Sequence, residues 1–328
     1  MIRIIRFDAR SEQIEKCELE ELARLLQDPN DIIWVDFEAE ETTICEPILL
    51  NTFGFHHLAV DDALEETHVP KIDDWGRYLY IVLNALTVEP NDGIALRSHE
   101  LDIFIGKHFL VTHHDDPMPF IERTWANLHR DSRPYKFGTD RLLYKLIDDM
   151  VTEYMNQMDR LDDEMDMIEE EVLTRARSDV LDRIFALKRT VLSMRRVFGP
   201  QREVLNKLAR DEYEVIDASE RVFFRDIYDH LVRIHDLNEN MRDLISGALE
   251  TYLSVINNRM NEVMKILTII TTLFMPLTFI TGFFGVNFFE PQGMLGSWTN
   301  YLAFVITMAM VCGIPVIMFI YMKRRTWL

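Results

Sequence analysis

Hydrophobic residues are unevenly distributed along the chain, and two long uncharged runs lie near its C-terminal end. The first covers residues 266–284 and the second covers residues 301–322, and neither contains Asp, Glu, Lys or Arg. Runs of about 19 and about 22 residues, wound as helices, are long enough to cross the hydrocarbon core of a bilayer. A buried helix in a soluble core is the alternative, but two such runs in succession favour a pair of transmembrane helices.

The charges that flank these runs predict their orientation. The connecting segment 285–300 holds one Glu and no Lys or Arg, whereas Arg259 and Lys265 precede the first run. A basic tail, residues 323–328, follows the second run and begins with Lys-Arg-Arg. Because basic residues concentrate on the cytoplasmic side of a membrane, both termini are expected in the cytoplasm and the short loop outside. The chain is thus predicted to be a multi-pass protein of the inner or plasma membrane of the cell.

The chain upstream of the spans contains both strand-like and helix-like patterns. Short runs rich in β-branched and aromatic residues predict strands at residues 4–7, 32–37, 78–86, 101–105 and 108–114. The leucine-rich segment 18–26 predicts one short amphipathic helix among them. Residues 1–138 are therefore expected to form an α/β or α+β domain in the cytosol, although the pattern does not predict the order of the strands.

A helical pattern begins near residue 139, where Thr139 or Asp140 is suited to cap a helix. It continues as an acidic helical region over residues 139–220, with crowded carboxylates between residues 159 and 171. The residues expected to face inward are Met158, Leu161, Met165 and Ile168. A solvated helix face explains these carboxylates, and a surface that attracts cations is the alternative. Phe-Gly-Pro at 198–200 predicts a break between helices.

One long helix is expected over residues 221–284, running from the cytosolic part directly into the first span. This stretch has no proline before Pro276, and the part ahead of the loop corresponds to roughly 60 residues or on the order of 90 Å. Its apolar residues recur at spacings of three and four: Ile227, Leu231, Ile234, Met241, Ile245, Ala248, Tyr252 and Val255. Such a repeat requires helical partners, so we expect this stalk to assemble with other copies. Two spans alone also cannot enclose a path for water.

The first span carries small and weakly polar residues along one face. Successive residues of a helix are rotated by about 100°, and the small and weakly polar residues of this span fall within an arc of about 100° on the helix surface. They are Asn261, Met264, Thr268, Thr271, Met275, Thr278 and Gly282. Thr and Gly are common where membrane helices pack together, so helix packing is one interpretation. The other is the lining of a pore, in which hydroxyls, thioethers and backbone carbonyls meet a cation that crosses at least partly hydrated.

Composition and short motifs exclude several classes of function. A formal net charge of −20 disfavours a nucleic-acid partner and favours cations. The cysteines are far apart and predict neither a disulfide framework nor a thiolate zinc site. The pairs His56-His57 and His113-His114 do not suggest chelation, because adjacent residues of a strand point to opposite faces. No phosphate-binding loop or common hydrolase motif is present, so the chain is not expected to be an enzyme.

The span region and its flanks resemble the CorA family of magnesium and cobalt channels. The resemblance rests on NEVMKILTIITTLFMPLTFITGFFGVNF at 261–288, on the short loop with the second span, and on the terminal KRRTWL. It extends upstream through FRDIYDHLVRIHDLNENMRDLISGALETYLS, LLYKLIDDM, LDDEMDMIEEEV and GFHHLAVDDAL. It implies a homopentamer with an N-terminal cytosolic α/β funnel domain. A long stalk helix would continue into the pore-lining first transmembrane helix, and the second would form the outer ring.

The resemblance also implies roles for residues along the pore. Gly285, Val286 and Asn287 match the family's Gly-Met-Asn triplet at the outer pore mouth, with Val in place of Met. Five Asn287 amide oxygens would accept hydrogen bonds from the waters of a hydrated cation. The matching pore and gate positions are Asn261, Met264, Leu267, Thr271 and Met275, and Thr278 lies on the same stripe. Leu267 falls at the edge of that stripe by helical geometry.

Four cytosolic carboxylates match regulatory positions of the family. Asp62 and Asp226 match a pair that binds a cation between subunits, and Asp61 and Asp148 match a second site. Carboxylates that face each other across an interface repel unless a divalent ion lies between them. The resemblance therefore implies uptake of Mg²⁺ and Co²⁺ that is gated by Mg²⁺ bound between cytosolic domains, with low internal Mg²⁺ opening the pore.

Two alternatives to a magnesium channel follow from the same residues. The altered triplet, with Val286, is also consistent with a branch that resembles the ZntB zinc transporters, which couple zinc uptake to protons. The stalk and the sequence Asn-Glu-Val-Met-Lys at 261–265 resemble the magnesium channels more than the zinc transporters. The second alternative is a membrane-anchored cation sensor without conduction, which the polar stripe and Asn287 disfavour.

Overall fold

The computed structural model describes residues 1–8, 13–65, 69–88, 94–128, 138–175, 177–285 and 301–325. The chain divides into two compact units, Met1–Glu250 and Thr251–Leu328. Val286 and Asn287, two of the three predicted residues of the outer pore mouth, lie outside the described residues.

The first unit is built on a seven-stranded mixed sheet. Its strands are β1 (Ile2–Asp8), β2 (Gln13–Lys16), β3 (Ile32–Glu38), β4 (Lys71–Asp74), β5 (Tyr78–Val88), β6 (Leu96–Gly106) and β7 (Phe109–His114). The order is β2-β1-β3-β7-β6-β5-β4, with β3 and β7 parallel and all other neighbours antiparallel. All the predicted strands are present. The pattern missed β2 and β4 because each has four residues, lies at an edge of the sheet and is rich in charge.

The described part of the chain also holds eight α-helices and one π-helical turn, Ile48–Thr52, which follows the second of them. The α-helices are α1 (Leu22–Leu25), α2 (Thr42–Pro47), α3 (His57–Leu64), α4 (Pro119–Leu128), α5 (Thr139–Arg175), α6 (Ser178–Arg210), α7 (Arg221–Gly285) and α8 (Tyr301–Arg324). A 3₁₀ turn (Leu19–Glu21) precedes α1, so the short helix predicted at 18–26 is present. The helix predicted from Thr139 or Asp140 begins at Thr139.

The sheet lies between two sets of helices in the first unit. On one face, alternate strand residues such as Val35, Phe104 and Val111 form a core with Leu22 of α1 and Val60 of α3. The opposite face packs on α4 and α5. There, the Trp34 ring lies 4.8 Å from that of Trp125, and the Thr139 hydroxyl donates to the Gly106 carbonyl at 2.6 Å. Period-two alternation along the strands explains this division.

The acidic helical region folds with its apolar residues inside and its carboxylates outside, as predicted. Met158, Leu161, Met165 and Ile168 are all buried. Most of the carboxylates between residues 159 and 171 are exposed. Arg183 of α6 forms ion pairs with Glu164 and Glu171 of α5, each at 2.7 Å, which join the two helices.

The predicted helix break at 198–200 is wrong. Helix α6 continues through Pro200 to Arg210. A proline inside a helix loses one backbone hydrogen bond, but adjacent side chains hold this one in place. Gln201 accepts a hydrogen bond from the Asn84 amide at 3.0 Å, and the Phe198 ring lies 5.3 Å from that of Tyr154. These tertiary contacts override the local preference.

The apolar stripe of α7 finds partners inside its own chain, contrary to the expectation that it requires other copies. From Ile227 to Ala248 the stripe is buried within the first unit. Asn238, which interrupts the stripe, is also buried and donates to the Val191 carbonyl of α6 at 3.2 Å. A period between three and four suits packing against any helix, so this stripe alone does not indicate an oligomer.

The second unit contains the end of α7 and all of α8. By length and composition, Arg221–Phe283 and Val305–Arg324 each hold a window that can cross a membrane. Within those windows 0% and 6% of residues are buried. The core helix of a soluble protein is largely buried, so these values favour two membrane spans over the soluble alternative.

Candidate ion pathway and cation sites

The predicted pore residues share one uncovered face of α7. Asn261, Met264, Leu267, Thr271, Met275 and Thr278 are all exposed. The half-buried residues of the same segment include Ile269, Leu273, Pro276 and Ile280. At about 100° per residue, these lie on the opposite side of the helix from the polar stripe. The chain therefore leaves the stripe free for a partner or a water-filled path.

The threonines of this face present oxygen lone pairs outward. The hydroxyls of Thr268, Thr271 and Thr278 each donate to the carbonyl four residues earlier, at 2.8, 2.9 and 3.0 Å. A hydroxyl has one proton to donate and two lone pairs to accept with. Since the proton is used within the helix, each oxygen is left as an acceptor, which suits water molecules around a cation.

Apolar members of the stripe lie toward the N-terminal end of this segment. Met264 and Leu267 are each 56% exposed, next to the amide of Asn261. A ring of such side chains contributed by several copies would exclude water, and hydrophobic constrictions gate pores by this means. One helix face therefore combines two exposed apolar side chains with a segment that carries hydroxyl groups.

Two of the four predicted regulatory carboxylates, one from each predicted site, lie on α3. Asp61 is exposed, and Asp62 is half-buried. Asp62 forms an ion pair with the Lys71 ammonium of the edge strand β4. Lys71 also lies 3.3 Å from the Asp73 carboxylate, two residues along the same strand. Asp62 therefore already has one cationic partner within the chain.

Asp148, on α5, has a similar arrangement. Its carboxylate accepts a hydrogen bond from Lys145 at 3.2 Å, and Lys145 also donates to Asp149 at 2.8 Å. Asp149 is held on its other oxygen by the Thr124 hydroxyl at 2.7 Å. Lys145 thus bridges a predicted metal ligand and a carboxylate that is fixed by a neighbouring helix.

Asp226 lies in the first turns of α7 and is exposed, with His230 at 4.0 Å. Burial raises the pKa of the Tyr144 phenol, and the nearby carboxylates of Asp148 and Asp226 raise it further. The Tyr144 ring also lies 5.3 Å from the ring of Phe223, three residues before Asp226 on α7, and Tyr144 precedes Asp148 by four residues on α5. The two helix starts are joined by Arg141, which pairs with Glu220 at 2.5 Å.

No complete metal site forms within the described part of a single chain. Among the described residues, no three His, Cys, Asp or Glu side chains are arranged to hold an ion. Divalent cations such as Ca²⁺ and Mg²⁺ take six or more oxygen ligands, some of them water. A cation site that uses these carboxylates therefore requires ligands from a second copy or from solvent.

His113 and His114 point to opposite faces of a strand, as expected. The same expectation is wrong for His56 and His57, which lie at the start of α3 with their ring centroids 4.4 Å apart. On β7, His113 Nδ1 lies 3.8 Å from Asp102, whereas His114 Nε2 lies 3.3 Å from Asp36. Burial raises the pKa of Asp102 to about 6, against the opposing effects of His113 and Tyr80. Tyr80 donates to Asp102 at 2.6 Å.

Lys71 and Lys145, the cations that pair with Asp62 and Asp148, were not predicted from the sequence. A signal for the second was available, because a Lys three or four residues before an Asp on a helix faces it. No such signal existed for Lys71, whose contact with Asp62 depends on the packing of β4 beside α3.

These features define a membrane protein with two apolar C-terminal helices, a long helix that carries a polar stripe, and an N-terminal α/β unit. Residues 29–324 match the family model described as "CorA-like Mg2+ transporter protein". The chain therefore belongs to the CorA family.

Individual relatives agree with this assignment. The chain is 35% identical over 308 residues to the cobalt/magnesium transport protein CorA of Thermotoga maritima, covering 92% of this chain and 85% of the relative. Its fold matches the structure of the CorA magnesium transporter of Methanocaldococcus jannaschii with a TM-score of 0.82 at 24% identity, covering 99% and 98% of the two chains. It is also 27% identical to the zinc transport protein ZntB of Photorhabdus laumondii, over 69% of this chain and 67% of the relative.

Proposed function

We propose that this protein is a divalent cation channel that takes up Mg²⁺, and also Co²⁺, across the cell membrane. The observation that carries the proposal is the uncovered stripe of hydroxyl, thioether and amide groups on the membrane segment of α7. No charged residue lies on that stripe between Thr268 and Gly282. Mg²⁺ gives up its water reluctantly, so a path of acceptor oxygens without a strong anionic trap suits its passage with water attached.

The pore in this proposal is lined by α7 from each copy. Asn287 and the neighbouring Gly285 and Val286 form the outer mouth, where amide oxygens hold the hydrated ion. Thr271, Met275 and Thr278 line the middle of the path. Met264 and Leu267 form the gate above Asn261.

Assembly as a homopentamer is part of the proposal. Besides the buried stripe, α7 carries apolar residues that the chain leaves exposed. Leu253, Met260, Leu267 and Phe274 recur every seven residues, and Leu237 and Leu244 form a separate pair seven residues apart. Exposed apolar residues at seven-residue intervals favour contact with further helices. The number five comes from the family resemblance.

Regulation by internal Mg²⁺ is proposed through carboxylates of adjacent subunits. Asp62 would face Asp226 of a neighbour, and Asp61 and Asp148 would contribute to a second site. Bound Mg²⁺ would stabilise the closed assembly, because without it the facing carboxylates repel each other. An ion that binds one state more tightly shifts the population toward that state.

The topology follows from the charges beside the spans. We place both termini in the cytoplasm, the loop 285–300 outside, and the protein in the inner or plasma membrane. Residues 1–138 and 139–220 then form the cytosolic funnel and its acidic helices, and 221–284 the stalk and first span. The inside-negative potential drives uptake, and we assign no enzymatic reaction to the protein.

Proton-coupled zinc uptake is the second candidate. The replacement of Met by Val286 in the triplet supports it, as does the similarity to a zinc transport protein. A non-conducting cation sensor is a third candidate, and the continuous polar stripe argues against it.

Replacement of the triplet asparagine tests the proposal directly. In liposomes that contain the full-length protein, Asn287→Ala should reduce Mg²⁺ uptake to near background. The matched control is Asn300→Ala in the same loop, which should conduct like the wild type. Equal uptake by wild type and Asn287→Ala would remove this residue from the ion path, and no uptake by the wild type would favour the sensor.

A further inference from the structure

Two of the proposed metal-ligand carboxylates are already occupied by a lysine of the same chain. Lys71 pairs with Asp62, and Lys145 donates to Asp148 at 3.2 Å. Both lysines are only partly exposed, with 30% and 35% of the side chain accessible. The contact of Lys71 joins strand β4 to helix α3, whereas the contact of Lys145 lies within helix α5.

Each lysine also contacts a second carboxylate that is not a proposed ligand. Lys71 lies 3.3 Å from Asp73, and Lys145 donates to Asp149 at 2.8 Å. The two lysines therefore share one arrangement, in which a single ammonium group bridges a ligand carboxylate and a second acceptor. Lys71 has additional support from the Tyr80 ring, whose centroid lies 5.1 Å from Nζ.

We propose that Lys71 and Lys145 are tethered competitors of the regulatory cation. Each neutralises a ligand carboxylate while the site is empty, and each shifts to its second carboxylate when a divalent cation binds. The inference rests on the proposed regulatory role of Asp62 and Asp148 and specifies what sets the metal concentration at which these sites fill.

The second carboxylate makes the exchange feasible. A partly buried ammonium group that loses its only partner is strongly destabilised. Asp73 and Asp149 remove that penalty, because each lysine keeps one carboxylate after the metal has taken the other. A lysine suits this role, since its charge sits on a flexible stem and moves by rotation.

Lysine is ordinarily charged at neutral pH, and each of these ammonium groups forms an ion pair with a proposed ligand carboxylate. A divalent cation that approaches either ligand must therefore displace a positive charge.

The direct consequence is that removal of the lysine should strengthen metal binding. For Lys71→Met we expect the apparent dissociation constant for Mg²⁺ to fall about three- to tenfold, since a unit charge at contact distance retains a measurable effect even in water. Lys71→Arg keeps the charge and should remain within about twofold of the wild type. Lys107→Met is the matched control, because Lys107 pairs with Glu214, which is not a proposed ligand.

The second acceptor provides a test of opposite sign. Asp73→Asn should hold Lys71 more firmly on Asp62 and raise the dissociation constant. Loss of the negative charge of Asp73 would by itself also raise the dissociation constant for Mg²⁺. The effect of Asp73→Asn must therefore be measured a second time in a protein that also carries Lys71→Met. Competition predicts that Asp73→Asn then has a clearly smaller effect, whereas a general field effect predicts the same effect in both backgrounds.

The measurement is the rise in thermal midpoint of the full-length protein in detergent as Mg²⁺ is added. Binding to the folded state raises the midpoint, and its concentration dependence gives the apparent dissociation constant without any need for conduction. A lower constant for Lys71→Met, with Lys107→Met unchanged, supports competition. An unchanged or higher constant for Lys71→Met overturns it.

Asp62→Asn separates this inference from the proposed regulatory site. If Asp62→Asn leaves Mg²⁺ binding unchanged, the regulatory site itself is wrong and the competitor fails with it. If Asp62→Asn weakens binding and Lys71→Met does not strengthen it, the site stands and only the competition is wrong.

Discussion

The buried carboxylate of Asp102 provides a quantitative test of the α/β unit. Asp102 is 3% exposed, and its neighbours are Tyr80, which donates to it at 2.6 Å, Glu100 on the same strand, and His113 at 3.8 Å. Burial raises the pKa of Asp102 to about 6. Replacement by Asn removes the charge and keeps an oxygen that accepts from Tyr80.

The sign of the effect follows from proton linkage. In the folded chain Asp102 holds its proton up to a higher pH than in the unfolded chain, where its pKa is about 3.9. Stability is therefore lost as pH rises between about 4 and about 6, by roughly 2–3 kcal/mol for a shift of about two units. Asp102→Asn avoids this loss, so the variant should be more stable than the wild type at pH 7.5 and the advantage should vanish near pH 4.

The assay is thermal unfolding of the full-length protein in detergent from pH 4 to pH 8. A gain of about 2–3 kcal/mol corresponds to a rise in midpoint of roughly 5–10 °C for a unit of this size. Asp163→Asn on the exposed face of α5 is the control and should show no such pH-dependent difference. A variant that is less stable at pH 7.5, or a difference that does not change with pH, would refute the assignment of a destabilising charge to Asp102.

Three further predictions address the core, the gate and the regulatory site. Phe104 is fully buried and stacks on Phe55 at 4.3 Å, so Phe104→Ala should cost about 3–5 kcal/mol of unfolding free energy, seen as a lower thermal midpoint. A midpoint within 2 °C or so of the wild type would contradict this core assignment. Leu267→Asn should wet the apolar constriction and allow Mg²⁺ flux at internal Mg²⁺ levels that close the wild type, whereas Leu267→Met should gate normally. Equal gating by both variants would remove Leu267 from the gate. Asp226→Asn should shift the closing Mg²⁺ concentration upward in liposome flux, while Asp229→Asn, exposed nearby on the same helix, should not. A matching shift in both would indicate a general charge effect.

Much of the fold could be predicted from local patterns. The strands that include Trp34, Tyr80 and Phe104 were predictable because central strands are rich in β-branched and aromatic residues. The helix α5 begins at Thr139, where a capping residue was expected, although the Thr139 hydroxyl donates to the Gly106 carbonyl. The inward face of its acidic segment follows from helical period. The edge strands β2 and β4 could not be predicted. Each is a segment of four residues rich in charge, which forms a strand only because the neighbouring strand pairs with it.

Tertiary contacts decided the points where the sequence interpretation was wrong. Pro200 should end a helix, yet contacts of Gln201 and Phe198 keep α6 continuous. The apolar repeat around Ile234 was predicted to need other copies, but a helical stripe does not specify whether its partner lies in the same chain. Asn238 and its contact with Val191 show that here the partner is α6.

The candidate site was predictable where chemistry follows helical period. Thr271 and Thr278 share a face because they lie seven residues apart, and no tertiary information was required. The partner of Asp62 could not be predicted, because Lys71 lies on a different element. The two residues come into contact only because β4 packs beside α3. In the proposed regulatory site the carboxylates would also need a neighbouring copy, which no single-chain pattern describes.

Cation uptake into liposomes that contain the full-length protein is the most direct test of the central claim. Mg²⁺ and Zn²⁺ should be compared with and without a proton gradient across the membrane. A magnesium channel of this kind should show Mg²⁺ uptake that does not depend on the proton gradient and is inhibited by Mg²⁺ on the cytosolic side. Zinc uptake that rises with a proton gradient, without comparable Mg²⁺ uptake, would contradict it.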